Sequence, residues 1–339
     1  MTWRRWLIFG AMIGLGALLM LLQGLDDFDL AEFDQTPLRF ENDGHSLSGT
    51  LILPSDLNNP PVAVIVHGDG PQDRFSSDGY LPLFHVLLDA GIGVFSWDKP
   101  GVGESGGDWL AQSMEDRTDE AIAALEAVQA RTGVSSGKIG YLGFSQAGWV
   151  IPSATTKAEP AFSVLIGPAV NWQAQGAYFT RQRLNAQGTP EAEIAASIAA
   201  RMARDKVVFA PGYAPTAEDL RGMTFERFAF VARNHTADAT QSISDMTGPV
   251  LAVWGADDLN VDATTDARIY QDNLPDPSAQ RVLIVPNATH GLLRSPIFNY
   301  QLTDQWPAYV QAAFVMAGRH AFAPDALDQI TEWITAQMD

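Results

Sequence analysis

Short, continuous apolar runs recur along this chain of 339 residues, and most are followed by a stretch of helical composition. Unbroken apolar runs are typical of strands that are covered on both faces. Alternation of such strands with helices predicts right-handed crossovers and a mostly parallel sheet. The predicted buried strands are Val62–Val66, Ile92–Trp97, Lys138–Phe144, Phe162–Ile166, Pro249–Trp254 and Arg281–Val285.

The first strands of the predicted sheet form a hairpin. Leu38–Asn42 and Ser46–Pro54 have strand composition and are joined by Asp43 and Gly44, a common hairpin turn. The segment before them, residues 26–37, is acidic and without a clear period, so we interpret it as a linker.

The alternation stops between residues 171 and 246, where only helical stretches such as Pro190–Val208 and Phe225–Asn234 are found. Because this segment lies between two predicted strands, we expect it to form a cap over their carboxyl ends. In open α/β sheets that edge is where ligands bind. The predicted organisation is therefore a core of residues 38–170 and 247–339, with residues 171–246 as a helical cap.

The N-terminal residues 1–25 predict a membrane anchor. Arg4 and Arg5 precede Trp6–Leu25, a stretch without charge that would rise about 30 Å as a helix, enough to cross a bilayer core. Arginines before the span and acids after it predict that the rest of the chain lies on the periplasmic, extracytoplasmic side. A cleaved signal peptide is the alternative, although no small-x-small cleavage pattern lies near Leu22–Leu25.

Composition excludes several classes of function. The formal net charge of −19 disfavours nucleic-acid binding, which needs clustered lysine and arginine. The chain has no cysteine, which excludes disulfides, thiolate metal sites and a cysteine nucleophile. No spacing of histidines and acids resembles a zinc-hydrolase site, so we expect neither a metal nor a cofactor. The oligomeric state is left open by the sequence.

The segment Gly143–Gly148 predicts a nucleophilic serine. It follows the apolar run Ile139–Leu142 and precedes a helix, so Ser145 stands on a sharp turn at the end of a strand. Such a turn exposes the hydroxyl, and the N–H of Gln146 points in the same direction. The alternative is an ordinary strand–turn–helix corner.

An acid and a base follow downstream. Asp258 comes after the predicted strand Pro249–Trp254, and its neighbour Asp257 competes for the same role. His290 lies in the loop after the last predicted strand. A carboxylate beside an imidazole fixes its tautomer and stabilises the imidazolium, so the order Ser145, Asp258, His290 predicts a catalytic triad.

The loop after Val62–Val66 predicts an oxyanion hole. Its glycines let the backbone approach a substrate, and the N–H of Asp69 can join that of Gln146 to bind an oxyanion. A carboxylate facing the oxyanion would repel it, so we expect the Asp69 side chain to point away or to contact Arg74. His67 is expected to make structural hydrogen bonds only.

These motifs together resemble the α/β-hydrolase superfamily. The run His67–Arg74 is similar to the His-Gly-Ser-Gly-Pro segment of bacterial esterases related to dienelactone hydrolases and serine aminopeptidase-like proteins. Asp98–Gly106 resembles the Asp-x-x-Gly-x-Gly-x-Ser loop after the fourth strand, and Gly255–Val261 and the His290 loop match the acid and base positions. The resemblance implies an α/β-hydrolase fold: a mostly parallel eight-stranded sheet, helices on both faces and a helical cap after strand 6.

The resemblance also implies a function. We expect a serine hydrolase that cleaves small-molecule carboxylic esters through an acyl-enzyme intermediate. A serine peptidase or aminopeptidase-like amide hydrolase is one alternative, and a non-catalytic binding protein on the same fold is another.

Overall fold

The computed structural model describes residues 14, 16, 18–55, 57–132 and 134–338, which build one sheet flanked by helices. Eight strands lie in the order β1-β2-β4-β3-β5-β6-β7-β8, and only β2 runs antiparallel to its neighbours. The predicted eight-stranded, mostly parallel sheet is therefore confirmed. The strands are β1 Asp34–Asn42, β2 His45–Leu53, β3 Val62–Val66, β4 Gly93–Trp97, β5 Ile139–Phe144, β6 Ser163–Ile166, β7 Val250–Gly255 and β8 Gln280–Val285.

Helices cover both faces of the sheet. Alternate residues of β3 separate the two sides, since Val64 packs in one apolar cluster and Ile65 in the other. The described helices are α1 (residues 18–26), α2 Leu81–Asp89, α3 Met114–Thr132, α4 Ile151–Lys157, α5 Trp172–Ala186, α6 Glu191–Val208, α7 Phe225–Asn234, α8 Thr240–Ser244, α9 Ala263–Asn273, α10 Ser295–Phe298, α11 Ala308–Ala317 and α12 Ala326–Ala336. Helices α3 and α9 contribute to the first cluster, and α2 and α12 to the second.

The chain between β6 and β7 consists of α5, α6, α7 and α8, and its described residues contain no strand. Helix α7 begins at Phe225, where the Thr224 hydroxyl accepts a hydrogen bond from the N–H of Arg227. Residues of α5, α6 and α7 line a cavity together with Ser145. These helices therefore lie beside the residue that the sequence predicts as nucleophile.

The prediction of a membrane anchor is wrong for the described residues. Half of the predicted span Trp6–Leu25 (residues 6–13, 15 and 17) lies outside them, and no helix among them is long and apolar enough to cross a bilayer. The carboxyl end of the span instead packs within the protein: a side chain on Gly24 would collide with the backbone of Met316. The same finding corrects two further predictions: that the N-terminal helix binds a membrane and that the protein is anchored to one.

A buried ion pair holds the residues after α1. Asp27 is fully buried and accepts hydrogen bonds from the backbone N–H and the guanidinium of Arg319, both at 2.6 Å. The chain then enters β1 at Asp34, four residues before the predicted strand start, so the last part of the predicted linker is strand. The N-terminal segment is thus bound to the C-terminal part of the chain.

We expect Asp27→Ala to lower the free energy of unfolding by about 3 kcal/mol. This is the low end of the cost of breaking a buried pair, because Asp89 still contacts Arg319 at 2.8 Å. Urea unfolding followed by tryptophan fluorescence measures the change. The control is Asp26→Ala, which removes an exposed carboxylate from the preceding residue and should change stability by less than about 0.5 kcal/mol. Equal losses in the two variants would contradict the role of the pair.

Candidate active site

Ser145 occupies a strained position at the end of β5. Its φ of 50° is left-handed, a conformation that costs a residue with a side chain on the order of 1–3 kcal/mol. It is the first residue of the single helical turn Ser145–Trp149, which leads into α4. A Cβ atom on Gly143 would lie 2.5 Å from the side chains of Ala147 and Ile151, so the turn requires small residues. The strand, strained serine and helix form the geometry of a nucleophile elbow.

Asp258 and His290 are joined by a hydrogen bond of 2.7 Å between Oδ2 and Nδ1. The other oxygen of Asp258 accepts from the backbone N–H groups of Asn260 and Val261, at 2.7 and 2.9 Å. The carboxylate is buried and both of its oxygens accept hydrogen bonds, which fixes its orientation. Its neighbour Asp257 is exposed and accepts from the Ser295 hydroxyl instead. Of the two competing acids, Asp258 is the one in contact with the histidine.

The pKa of His290 lies above its ordinary value of 6.5. Burial lowers it, but the charge of Asp258 and the hydrogen bond to it raise it by more. The Asp258 carboxylate accepts the proton on Nδ1, which leaves Nε2 as the acceptor of a neutral imidazole.

Ser145 and His290 both contact the segment that follows β6. The N–H of Ala169 donates to the carbonyl of Ser145 at 3.3 Å, and a Cβ on Gly167 would lie 2.9 Å from Nδ1 of His290. Among the described residues, no hydrogen bond joins the Ser145 hydroxyl to His290. Catalytic hydrogen bonds are often long before substrate binds, so this geometry is compatible with transfer between the two groups.

The loop after β3 lies against the elbow. A Cβ on Gly68 would be 3.5 Å from Cβ of Ser145. Gln146 is in the first turn after the serine, where N–H groups have no acceptor within the helix. No described residue accepts a hydrogen bond from the N–H of Asp69. Both residues line the cavity that contains Ser145.

The side chain of Asp69 contacts Arg227 of α7, with Nη1 at 2.8 Å from Oδ1, and also accepts from the Gln146 amide at 3.2 Å. The expected contact with Arg74 is wrong, because Arg74 instead pairs with Asp98. Burial would raise the pKa of the Asp69 carboxyl, but the hydrogen bonds and charge of Arg227 outweigh it and hold the pKa below its usual value.

Two buried cations that the sequence reasoning missed hold the same loop. Lys99 donates from Nζ to the carbonyls of Gly68 and Gly70, at 3.1 and 3.0 Å. Arg117 donates to the carbonyl of His67 at 2.6 Å and to the side-chain oxygen of Gln146. Burial and the charge of Arg117 lower the pKa of Lys99 well below its usual value. The signal for Lys99 was its place two residues after β4, in the Asp98–Gly106 loop at the carboxyl edge of the sheet.

His67 itself makes a structural contact. Its Nε2 donates to the carbonyl of Trp97 at 2.5 Å, and its ring stacks on Tyr80. Burial lowers its pKa to about 3, so it stays neutral and anchors the start of the loop.

One group of described side chains, Glu32, His85 and Asp89, has the spacing of metal ligands. Arg319 donates to Nδ1 of His85 and to Asp89, each at 2.8 Å. The guanidinium thus supplies the positive charge that a metal would bring, and the group acts as part of the ion-pair network around Asp27.

Comparisons with known proteins identify the family of this chain and its fold. Residues 60–296, more than half of the chain, match the family model described as serine aminopeptidase, S33. No significant match was found among curated proteins.

Solved structures of similar fold include esterases and a dienelactone hydrolase. An esterase from Pyrococcus furiosus is 16% identical, with a TM-score of 0.60 over 92% of this chain and 93% of that chain. Est1E from Butyrivibrio proteoclasticus, with ferulic acid bound, is 15% identical, with a TM-score of 0.54 over 89% of this chain and 97% of that chain. The dienelactone hydrolase from Anabaena variabilis is 13% identical, with a TM-score of 0.50 over 90% of this chain and 98% of that chain.

We expect His290 to titrate above pH 6.5 in the wild type and below it in Asp258→Asn, because the substitution removes the charge while burial remains. By linkage, the imidazolium–carboxylate pair stabilises the fold fully below pH 6.5, and this contribution is lost as pH rises through the raised pKa. NMR titration of the imidazole, assigned with His290→Gln, measures both values. An unchanged pKa in Asp258→Asn would show that the carboxylate does not control the histidine.

Proposed function

We propose that this chain, which belongs to the serine aminopeptidase S33 family of the α/β-hydrolase superfamily, is a serine hydrolase that cleaves carboxylic esters. The observation that supports this most strongly is the 2.7 Å hydrogen bond between His290 and the buried Asp258, at the same sheet edge as the strained Ser145. The family is one of hydrolases, and the ester substrate and the roles of the residues are the proposal.

In the proposed mechanism the hydroxyl of Ser145 attacks the acyl carbon while Nε2 of His290 takes its proton. Asp258 keeps the imidazole in the required tautomer and stabilises its charged form. The N–H groups of Asp69 and Gln146 bind the developing oxyanion. The imidazolium then protonates the leaving alcohol, and water, activated by the same histidine, releases the acyl group from the serine. No metal or cofactor is needed.

We also propose that residues 171–246 act as a cap and that residues 38–170 and 247–339 form the catalytic core. The support is that helices α5, α6 and α7 line the cavity that contains Ser145. Arg227 of α7 reaches the oxyanion loop directly through Asp69. The helical segment therefore shapes both the substrate space and the loop beside the reacting atoms.

An aminopeptidase, the activity in the family's name, is the second candidate. It has to bind the α-ammonium group of its substrate, for which a carboxylate without a cationic partner is the suitable group. The acids that line the cavity are Asp69, Asp205 and Asp219, and each has an arginine within 4.0 Å. This favours an ester over an aminoacyl amide as substrate.

The function is tested with p-nitrophenyl esters of rising chain length and with aminoacyl anilides. We expect ester hydrolysis, and we expect Ser145→Ala to lower kcat by about 10⁴-fold or more because no nucleophile remains. The matched control is Ser153→Ala on α4, whose hydroxyl bonds only to Ser242 and whose loss should leave kcat unchanged. Absence of labelling of Ser145 by a fluorophosphonate in folded protein would favour a binding protein, and faster anilide hydrolysis would favour the peptidase.

Lys99 is expected to raise kcat through the oxyanion loop. Its ammonium donates to the carbonyl of Gly68, and the same planar amide carries the N–H of Asp69. Because the C=O and N–H of a trans amide point in opposite directions, the lysine fixes the direction of the proposed oxyanion donor. A charge-assisted bond to the carbonyl also polarises the amide and strengthens that donor.

We expect Lys99→Met, which keeps much of the side-chain volume, to lower kcat by about 10²-fold, the cost of one impaired oxyanion donor. KM should change little, because the oxyanion exists only in the transition state. The control is Lys157→Met, an exposed lysine paired with Asp119. Thermal unfolding checks that Lys99→Met is folded. A change confined to KM or to stability would leave Lys99 without a role in catalysis.

A further inference from the structure

The cavity that contains Ser145 has a charge opposite to that of the chain as a whole. The chain carries 40 acidic and 21 basic residues, but the cavity wall carries six basic and three acidic ones. More than a quarter of all lysines and arginines thus line this one space of about 960 Å³. The basic residues are Arg183, Arg201, Arg204, Lys206, Arg221 and Arg227.

Two of the three acids that line the cavity each form an ion pair with one arginine. Asp69 binds Arg227 through both oxygens. Asp219 contacts Arg204 at 2.9 Å, and its pKa is lowered, chiefly by hydrogen bonds from Thr216 and also by Arg204. Neither carboxylate is left to bind a cation from solution.

The third acid, Asp205, has two arginine partners. Asp205 lies 3.4 Å from Arg201 and 3.9 Å from Arg221, so two guanidinium groups share one carboxylate. Arg183 and Lys206 have no acidic partner among the described residues, and both side chains are exposed. The wall therefore retains an excess of positive charge after every acid is paired.

Apolar side chains line the same space, among them Trp172, Phe179, Ile198 and Met223. A cavity of this size is typical of small-molecule sites, in which apolar walls bind the body of a ligand and a few polar groups orient it. The combination suits a ligand with an apolar chain and a negative charge at a distance from the reacting carbonyl.

We infer that this site selects esters whose acyl chain carries a carboxylate remote from the ester bond. The inference rests on the proposed function and names its substrate class. A cleft with one sign of charge concentrates ligands of the opposite sign, and guanidinium groups match carboxylates in geometry. The acyl part carries the charge because it stays bonded to Ser145 through both steps, whereas the alcohol leaves after the first.

The test compares p-nitrophenyl esters of suberate, octanoate and ω-amino-octanoate, which share chain length and leaving group and differ in terminal charge. We expect kcat/KM for the suberate half-ester to exceed that for octanoate by about tenfold at low ionic strength. The ω-amino ester should be the slowest of the three. The advantage of suberate should fall as salt shortens the Debye length from about 30 Å at 0.01 M to about 8 Å at 0.15 M.

The double variant Arg183→Gln/Lys206→Gln should reduce the ratio of suberate to octanoate kcat/KM several-fold. The matched control is Lys157→Gln/Arg268→Gln, which removes the same net charge from exposed helix surfaces outside the cavity and should leave the ratio and both rates unchanged. An equal fall of the ratio in both double variants would assign it to overall charge and overturn the inference.

The outcomes separate this inference from the proposed function. Labelling of Ser145 and equal or slower hydrolysis of the suberate half-ester would overturn the substrate class and leave the serine esterase intact. Failure to label Ser145, with no ester cleaved, would overturn both. A salt-sensitive preference for suberate that depends on Arg183 and Lys206 would support both.

Discussion

Short parallel strands that are buried on both faces determine where polar side chains of this protein can meet a substrate. All five residues of β3 and of β4 are buried, so nothing along these strands can meet a substrate. Polar residues can emerge only where the strands end, and parallel strands end at the same edge. Gly68, Lys99, Ser145, Asp258 and His290 all follow such ends, which brings residues far apart in sequence to one side of the sheet.

The loops at that edge contain backbone N–H and C=O groups that have no hydrogen-bond partner within the sheet or a helix. These groups need other partners. The carbonyls of His67, Gly68 and Gly70 point into the protein, and Lys99 and Arg117 donate to them. With the carbonyls held inward, the N–H of Asp69 has no acceptor in the part of the chain that the structure describes. The same buried contacts that keep the loop folded therefore leave a donor available beside the serine.

The sequence predicted the strands well, because strands depend on local patterns. Strand β3 has the predicted bounds, and β7 and β8 differ from prediction by one residue at their ends. Helix α6 begins at Glu191 rather than at Pro190, because Pro190 has extended backbone angles and is the N-cap residue.

The contacts that the sequence could not predict are those between distant segments. Asp69 and Arg227 are separated by 158 positions, and no local pattern links them. The apolar N-terminal stretch was predicted to cross a membrane from its hydropathy alone. Its final turn instead packs on Met316 near the other end of the chain, a contact that only the fold reveals.

The ion pair between Asp69 and Arg227 restricts which segments can be exchanged between related proteins. One partner belongs to the loop beside the elbow and the other to the helical segment after β6. A chimaera that imports residues 171–246 from a relative without the arginine would leave an uncompensated carboxylate next to the serine. A change of the helical segment that removes the arginine therefore requires a matching change at residue 69. The two must be inherited or grafted together.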